Sequence, residues 1–231
     1  MTITYHPDVV QGSEEWVSLR CGRLTASEMK LILTPTLKVA ANEKERSHLY
    51  TLLAQRMAGY TEIGFLGDDM LRGYEDEIDA RAAYAANYAP VDDCGFITND
   101  DLGFTIGYSP DGLVGEDGLV EIKSRKHKFQ VETILENVAL GTAPSDFVIQ
   151  IQTGLWVTKR KWLDFISYSA GLPMATVRIY PDPVVQNAIV EAATAFEARI
   201  GERMTQLTGV LQTPGLRFLQ TDRRVDQELA A

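Results

Sequence analysis

Asp111, Glu121 and Lys123 fall within one short stretch, SPDGLVGEDGLVEIK, residues 109–123. Two carboxylates and an ammonium group drawn to one small volume are the equipment of metal-assisted phosphodiester hydrolysis. Paired carboxylates repel each other unless something positive sits between them, and a divalent cation does that. Mg²⁺ takes oxygen ligands, keeps several waters, and is held by one or two carboxylates together with substrate phosphate. A neighbouring lysine stabilises charge developing on phosphate or orients the attacking water.

The stretch reads as a hairpin that brings these groups together. Gly115-Glu116-Asp117-Gly118 is a turn sequence. A register with Val114 opposite Leu119, Leu113 opposite Val120 and Gly112 opposite Glu121 leaves Asp111 one step from Glu121, about 5–8 Å across the strands. Glu121 and Lys123 then share a face. Val120 and Ile122 point the other way, into a core. Glu116 and Asp117 belong to the turn and are solvated. Taken alone, a charged surface hairpin is the competing reading.

Other elements must hold this hairpin. Thr25 reads as a cap for a helix to Leu33. Residues Glu43–Ala58 carry Leu49, Leu52, Leu53 and Met57 at helical spacing. Asp69–Tyr88 is a second amphipathic helix. From Asp93 to Ser124 the period changes to two, which predicts three antiparallel strands near Gly95–Thr98, Gly103–Gly107 and Leu119–Lys123. Phe129–Gly141 reads as helix, and Pro144-Ser145-Asp146 opens another through Gln150, Gln152 and Trp156. Trp162–Tyr168 and Ala175–Tyr180 read as strands, and Val184–Leu207 as a long last helix. This order predicts a mixed α/β fold with a central, mostly antiparallel or mixed sheet flanked by helices. Residues 1–231 are expected to form one domain, with a loosely held tail after Thr213.

Composition narrows the function. The net charge is −10, whereas a protein whose whole surface grips DNA is usually basic. Positive charge is local: Lys123, Arg125, Lys126, His127 and Lys128, then Lys159, Arg160 and Lys161. Each cluster also reads as ordinary solvated surface. Cys21 and Cys94 cannot supply a four-cysteine zinc or iron–sulfur site. The three histidines are scattered and suggest no histidine site. No apolar run is long enough for a transmembrane helix, and MTITYHPDVV lacks the basic-then-apolar order of a secretory signal. A cytoplasmic protein is expected.

Further stretches carry a resemblance. Asp111 followed by Glu121-Ile122-Lys123 resembles the PD-(D/E)xK nuclease signature. Trp16-x-x-Leu19-Arg20-x-Gly22-x-x-Thr25-Ala26-Ser27 resembles the W-x-x-L-R-x-G-x-x-T-A-S stretch of the phage lambda exonuclease (YqaJ-like) family. Gly73-x-x-x-Glu77-x-Asp79-Ala80-Arg81, Ser109-Pro110-Asp111-Gly112-Leu113 and Gln150-x-Gln152-x-x-x-Trp156-Val157-Thr158 resemble further motifs of that family, in order and at similar spacing.

The resemblance implies a restriction-endonuclease-like core and a 5′-to-3′ exonuclease. Such an enzyme degrades one strand of linear double-stranded DNA, releases 5′-phosphomononucleotides and leaves a 3′ single-stranded overhang. It implies Mg²⁺, replaceable by Mn²⁺, with two ions per active site. It further implies a homotrimeric ring, a single-strand annealing protein as partner, and the cytoplasm of a bacterial host. Carried over by position, Asp111, Glu121 and the Ile122 carbonyl would bind metal, and Lys123 would be the catalytic lysine. Glu77 would be the helix acid near the metals, with Glu75 the competing candidate. Gln150 would position the nucleophile, with Gln152 the competitor; residues two apart on a helix do not face the same way. Arg20, Ser27 and Ser109 would bind the 5′-phosphate of the resected strand. A guanidinium fork and two hydroxyls suit a terminal phosphate.

Two readings compete. One is a nicking or structure-specific endonuclease of the same fold, which has no terminal phosphate to hold. The other is a non-catalytic loader that binds DNA ends for an annealing protein; it needs no complete Asp111, Glu121 and Lys123 set.

Overall fold

The computed structural model describes residues 2–62 and 68–223. Strand β1 (Ile3–His6), helix α1 (Glu14–Arg20) and the short strand β2 (Leu24–Thr25) lead into helices α2 (Glu43–Ala58) and α3 (Asp68–Asn87). Strands β3 (Phe96–Asn99), β4 (Ile106–Tyr108), β5 (Gly112–Val114) and β6 (Gly118–Ser124) follow. Helices α4 (His127–Glu136) and α5 (Ser145–Thr158), strands β7 (Trp162–Tyr168) and β8 (Ala175–Ile179), and helix α6 (Pro183–Leu211) complete the order. Residues 213–223 are exposed, and the rest of the expected loose tail lies outside the described residues.

The fold is mixed α/β, as expected. Its strands, however, divide into two four-stranded sheets, β1-β3-β4-β2 and β5-β6-β7-β8, rather than one central sheet. The break falls at Ser109-Pro110-Asp111, between β4 and β5. Pro110 has no N–H with which to continue a ladder, so the chain leaves one sheet there and enters the other. Each sheet mixes directions: β2 pairs parallel with β4 and β6 parallel with β7, while the other neighbours run antiparallel.

Strand β6 is covered on both faces. Leu119 joins a core with Leu155 of α5 and Phe196 of α6. Val120 and Ile122 point the other way, onto Ala80 and Tyr84 of α3. Each such aliphatic side chain taken from water contributes about 1.5–3 kcal/mol, so the alternation along β6 is strongly held. Helix α5 is buried almost all round, from Ile151 to Thr158, which fixes the rotation of the turn that carries Gln150.

Several sequence expectations are corrected. The β5–β6 register is Gly112 to Val120, Leu113 to Leu119 and Val114 to Gly118, one residue tighter than expected. The loop therefore has three residues, with Gly115 at φ +52°, and the Asp117 carbonyl accepts instead from Lys161 N at 2.9 Å. Gly118 must lack a side chain because a Cβ there would stand 2.2 Å from the Trp162 ring. Extending this register by one residue sets Asp111 opposite Glu121, not one step away.

Thr25 does not cap a helix. It pairs with Gly107, and only a 3-10 turn at Met29–Leu31 follows, because the buried Leu24 and Ala26 draw this segment to the sheet edge. The strand expected over Gly103–Gly107 lies at Ile106–Tyr108, since Gly103 takes a positive φ of 79° in a turn. The helix expected over Phe129–Gly141 stops at Glu136 and ends in a 3-10 turn before Gly141. Strand β1 and helix α1 lie outside the elements that periodicity predicts. For α1 the signal was present: Ser13 accepts from Trp16 N at 3.2 Å, with Glu14 and Glu15 in the first turn.

Candidate active site

The crossing from β4 to β5 places Tyr108, Ser109 and Asp111 in succession at the seam between the sheets. Gln11 anchors the crossing by donating to the Pro110 carbonyl at 2.8 Å. Arg81 of α3 donates to the Asp111 carbonyl at 3.4 Å and the Val91 carbonyl at 3.2 Å. The Asp111 carboxylate accepts from Ile122 N at 2.5 Å, so one of its oxygens is tied to the strand that carries Glu121.

Glu121 is 1% exposed, yet three side chains serve its carboxylate. Tyr108 donates its hydroxyl to Oε2 at 2.8 Å. Lys123 donates to Oε1 at 2.6 Å, and Gln150 of α5 donates to the same oxygen. Tyr108 can lie there because Gly154 faces it: a Cβ on Gly154 would stand 2.7 Å from Tyr108 Cζ.

The electrostatics follow from burial. Desolvation pushes the Asp111 carboxyl well above the usual carboxylate range, and Glu121 adds to this, while Lys123 opposes it. Desolvation alone would lower Lys123, but Glu121 and Asp111 outweigh it and hold the ammonium above its ordinary value. Burial also raises Glu77, again with Glu121 adding and Lys123 and Arg81 opposing. Tyr108, desolvated and facing Glu121, is raised far enough to remain a hydroxyl donor.

A cleft of about 180 Å³ is lined by Asp111, Glu121, Lys123 and Gln150 and also by Arg20, Ser27 and Ser109. The structure thus brings these seven sequence-selected side chains to one space. Ile122 lies on β6 between Glu121 and Lys123. Glu77 lies outside this cleft but lines an adjoining one of about 450 Å³, which Asp111 also lines. Glu75 is exposed. Gln152 is buried at 2% exposure. It donates to the Tyr180 carbonyl at 2.9 Å and accepts from Asp182 N at 2.8 Å. It therefore ties down the approach to α6, while Gln150 faces the cleft.

Sequence reasoning gave no role to Tyr108, Gln11 or Phe147. The signal for Tyr108 was its place directly before Ser109-Pro110-Asp111. Phe147 links the cleft to the basic run: Lys123 Nζ lies 5.6 Å and Arg125 Cζ 5.2 Å from its ring centroid. Arg125 and Lys128 also lie 5.2 and 4.5 Å from the exposed Phe129 ring.

The donor set fits a hard divalent cation. Glu121 is buried and Asp111 half-buried; both are aimed at one volume and compensated chiefly by Lys123, so a cation among their oxygens would offset both the desolvation and the Glu121 repulsion that raise Asp111. Among the described residues no group of three or more His, Cys, Asp or Glu has metal-holding geometry. Further ligands would be the Ile122 carbonyl, water and phosphate oxygen, the set Mg²⁺ favours.

Known proteins share this fold and part of this sequence. A family model described as the YqaJ-like viral recombinase domain matches residues 15–161. The alkaline exonuclease LHK-Exo from Laribacter hongkongensis is 30% identical, with TM-score 0.75, covering 86% of this chain and 98% of that one. The same enzyme in complex with dAMP superposes with TM-score 0.71 at 30% identity and the same coverage. A phage-related exonuclease from Haemophilus somnus 129PT, at 15% identity and TM-score 0.56, covers 80% of this chain and 96% of its own; it shares the fold. No curated protein sequence matches the chain.

Proposed function

The chain belongs to the YqaJ-like viral recombinase domain family, and on that premise we propose that it is a Mg²⁺-dependent 5′-to-3′ exonuclease of linear double-stranded DNA. It removes 5′-phosphomononucleotides from one strand and leaves a 3′ overhang for strand-annealing recombination. The observation that carries this reading is the shared cleft. The carboxylate, lysine and glutamine cluster opens into the same space as one guanidinium and two hydroxyls. A nuclease that cuts inside a strand has no terminal phosphate for Arg20, Ser27 and Ser109 to hold.

In this reading Arg20, Ser27 and Ser109 receive the 5′-terminal phosphate and set how far the strand enters. Asp111, Glu121 and the Ile122 carbonyl would hold Mg²⁺ or Mn²⁺, two ions per site, with Glu77 the neighbouring helix acid in the adjoining cleft. The chemistry such ions would supply when bound is polarisation of the scissile phosphate and activation of a water. Lys123 and Gln150, both on Glu121 Oε1, orient the attacking water and offset charge on the phosphate. Arg125, Lys128 and Phe129 continue from Lys123 past Phe147 and give a positive track for the strand on a chain of net charge −10. A homotrimeric ring would place such tracks around a duplex and leave the acidic surface outside. A single-strand annealing protein is the proposed partner and the bacterial cytoplasm the proposed setting. Among the described residues no helix is long and apolar enough to cross a membrane.

The test is digestion of end-labelled linear duplex bearing a 5′-phosphate, with Mg²⁺ or EDTA, beside closed circular duplex and Lys123→Ala. Mg²⁺-dependent release of 5′-mononucleotides from linear DNA alone, lost in the variant, is expected. Cutting of circles would replace this reading by the endonuclease, and end binding without cutting by the non-catalytic loader.

A further inference from the structure

Trp16 touches two of the three residues at the phosphate end of the cleft. Its indole N–H donates to Ser109 Oγ at 2.8 Å. Its ring lies against the Arg20 guanidinium, 4.4 Å from Cζ to the centroid. The two partners come from unrelated places, Arg20 from the last turn of α1 and Ser109 from the β4–β5 crossing. Ser13 caps α1 through Trp16's own backbone N–H, so the indole is fixed at the helix start.

Each contact sets a hydrogen-bonding polarity. A serine hydroxyl has one donor and two acceptor lone pairs and rotates to suit its surroundings. The indole N–H takes a lone pair of Ser109 and turns the O–H away from itself, so the hydroxyl presents a donor elsewhere. Arg20 is held similarly. Its Nη2 donates to Thr25 Oγ1 at 3.3 Å, while the Thr25 hydroxyl donates to Glu28 Oε2 at 2.5 Å. Thr25 is therefore committed as the acceptor toward Arg20. Stacking on the indole leaves the guanidinium edge to serve as donor.

We propose that Trp16 is a positioning residue that holds Arg20 and Ser109 as donors toward the phosphate end of the cleft, so that it favours a 5′-phosphoryl end over a 5′-hydroxyl end. This rests on the reading of the cleft as the site of a 5′-exonuclease. A terminal phosphate dianion offers only acceptors and negative charge. A 5′-hydroxyl needs an acceptor for its own proton, and a serine free to rotate would supply one. The indole N–H occupies one of the two lone pairs of Ser109 and fixes its rotation, so the hydroxyl serves better as donor than as acceptor.

Two variants separate the contacts. Trp16→Phe keeps an aromatic face for Arg20 and removes the N–H; Trp16→Leu removes both. For each, kcat/KM is measured on linear duplexes with 5′-phosphoryl and 5′-hydroxyl ends. End binding is also measured in EDTA by fluorescence anisotropy, with circular dichroism and Tm reporting folding. Expected is a fall in the phosphoryl-to-hydroxyl ratio of about tenfold for Trp16→Phe, the scale of one hydrogen bond to a charged group, and a larger fall for Trp16→Leu. In a Ser109→Ala background, Trp16→Phe should produce little further loss of the ratio. The proposal is overturned by equal loss on both ends, by additivity with Ser109→Ala, or by a wild-type protein that binds both ends alike. A wild-type protein that binds phosphoryl ends selectively yet cuts nothing would sink the nuclease reading and leave the role of Trp16 in place.

Discussion

Tyr108 and Glu121 are joined by a 2.8 Å hydrogen bond in which the buried phenol donates to Oε2. This holds one carboxylate oxygen in place before any cation arrives. Partners that orient metal-ligating side chains typically account for 10–100-fold in metal affinity or activity. Tyr108→Phe should therefore weaken Mg²⁺ activation by about tenfold, read from the Mg²⁺ concentration at half-maximal rate, while Tm moves little. Gly154→Ala should act on the same bond from behind. Its methyl would stand 2.7 Å from Tyr108 Cζ, so a better helix former should cost activity and about 1–3 kcal/mol of stability. An active, more stable Gly154→Ala protein would show that Tyr108 is not held in this way.

The two glutamines of α5 should separate cleanly. Gln152→Ala strips the partners from Asp182 N and the Tyr180 carbonyl, and leaving such buried groups unpaired costs about 1–3 kcal/mol. A lower denaturation midpoint with near-normal activity per folded molecule is expected. Gln150→Ala should do the reverse, lowering kcat at least about tenfold with Tm nearly unchanged. Interchanged outcomes would move the proposed nucleophile-positioning role to Gln152.

Asp111 makes stability depend on pH in a definite direction. Its carboxyl is raised above the usual range by burial and by Glu121, and Glu77 is raised for the same reasons. The folded state thus binds more protons than the unfolded one, so stability is greatest below the ordinary carboxylate pKa of about 4 and falls as pH rises through the raised values. In EDTA, Tm should fall from mildly acid to neutral pH. Mg²⁺ should raise Tm more at pH 8 than at pH 5. Asp111→Asn should flatten much of the metal-free slope. A Tm that rises steadily with pH in EDTA would contradict the crowded carboxylates.

Arg125 and Lys128 should report DNA contact through salt dependence. Each phosphate neutralised contributes about 0.9 to the slope of log K against log salt on duplex DNA. Lys128→Gln should reduce that slope by roughly one and weaken binding similarly across sequences. Phe129→Leu should weaken single strands more than duplex, since base stacking on an aromatic ring contributes about 1–3 kcal/mol. An unchanged slope in Lys128→Gln would return this run to solvated surface.

Much of the chemistry was legible in the chain because it is local. Alternation along Leu119–Lys123 sorts Glu121 and Lys123 from Val120 and Ile122, and packing on α3 and α5 bears that sorting out. Helical periodicity located α2, α3, α5 and α6 within a few residues. What periodicity cannot encode is a partner distant in sequence. The register that sets Asp111 opposite Glu121 depends on Asp117 bonding to Lys161 N rather than within its own turn. The split into two sheets depends on where β1 and β7 find edges to pair with. The bond from Trp16 to Ser109 spans 93 positions, and the bond from Gln150 to Glu121 spans 29. Sequence by itself determined which groups could do chemistry and which face of β6 they occupy, since side-chain direction along a strand follows from backbone geometry. Only the tertiary structure decided which of Gln150 and Gln152 meets Glu121 and how Trp16 joins Arg20 to Ser109, because those contacts arise from the packing of elements that share no local pattern.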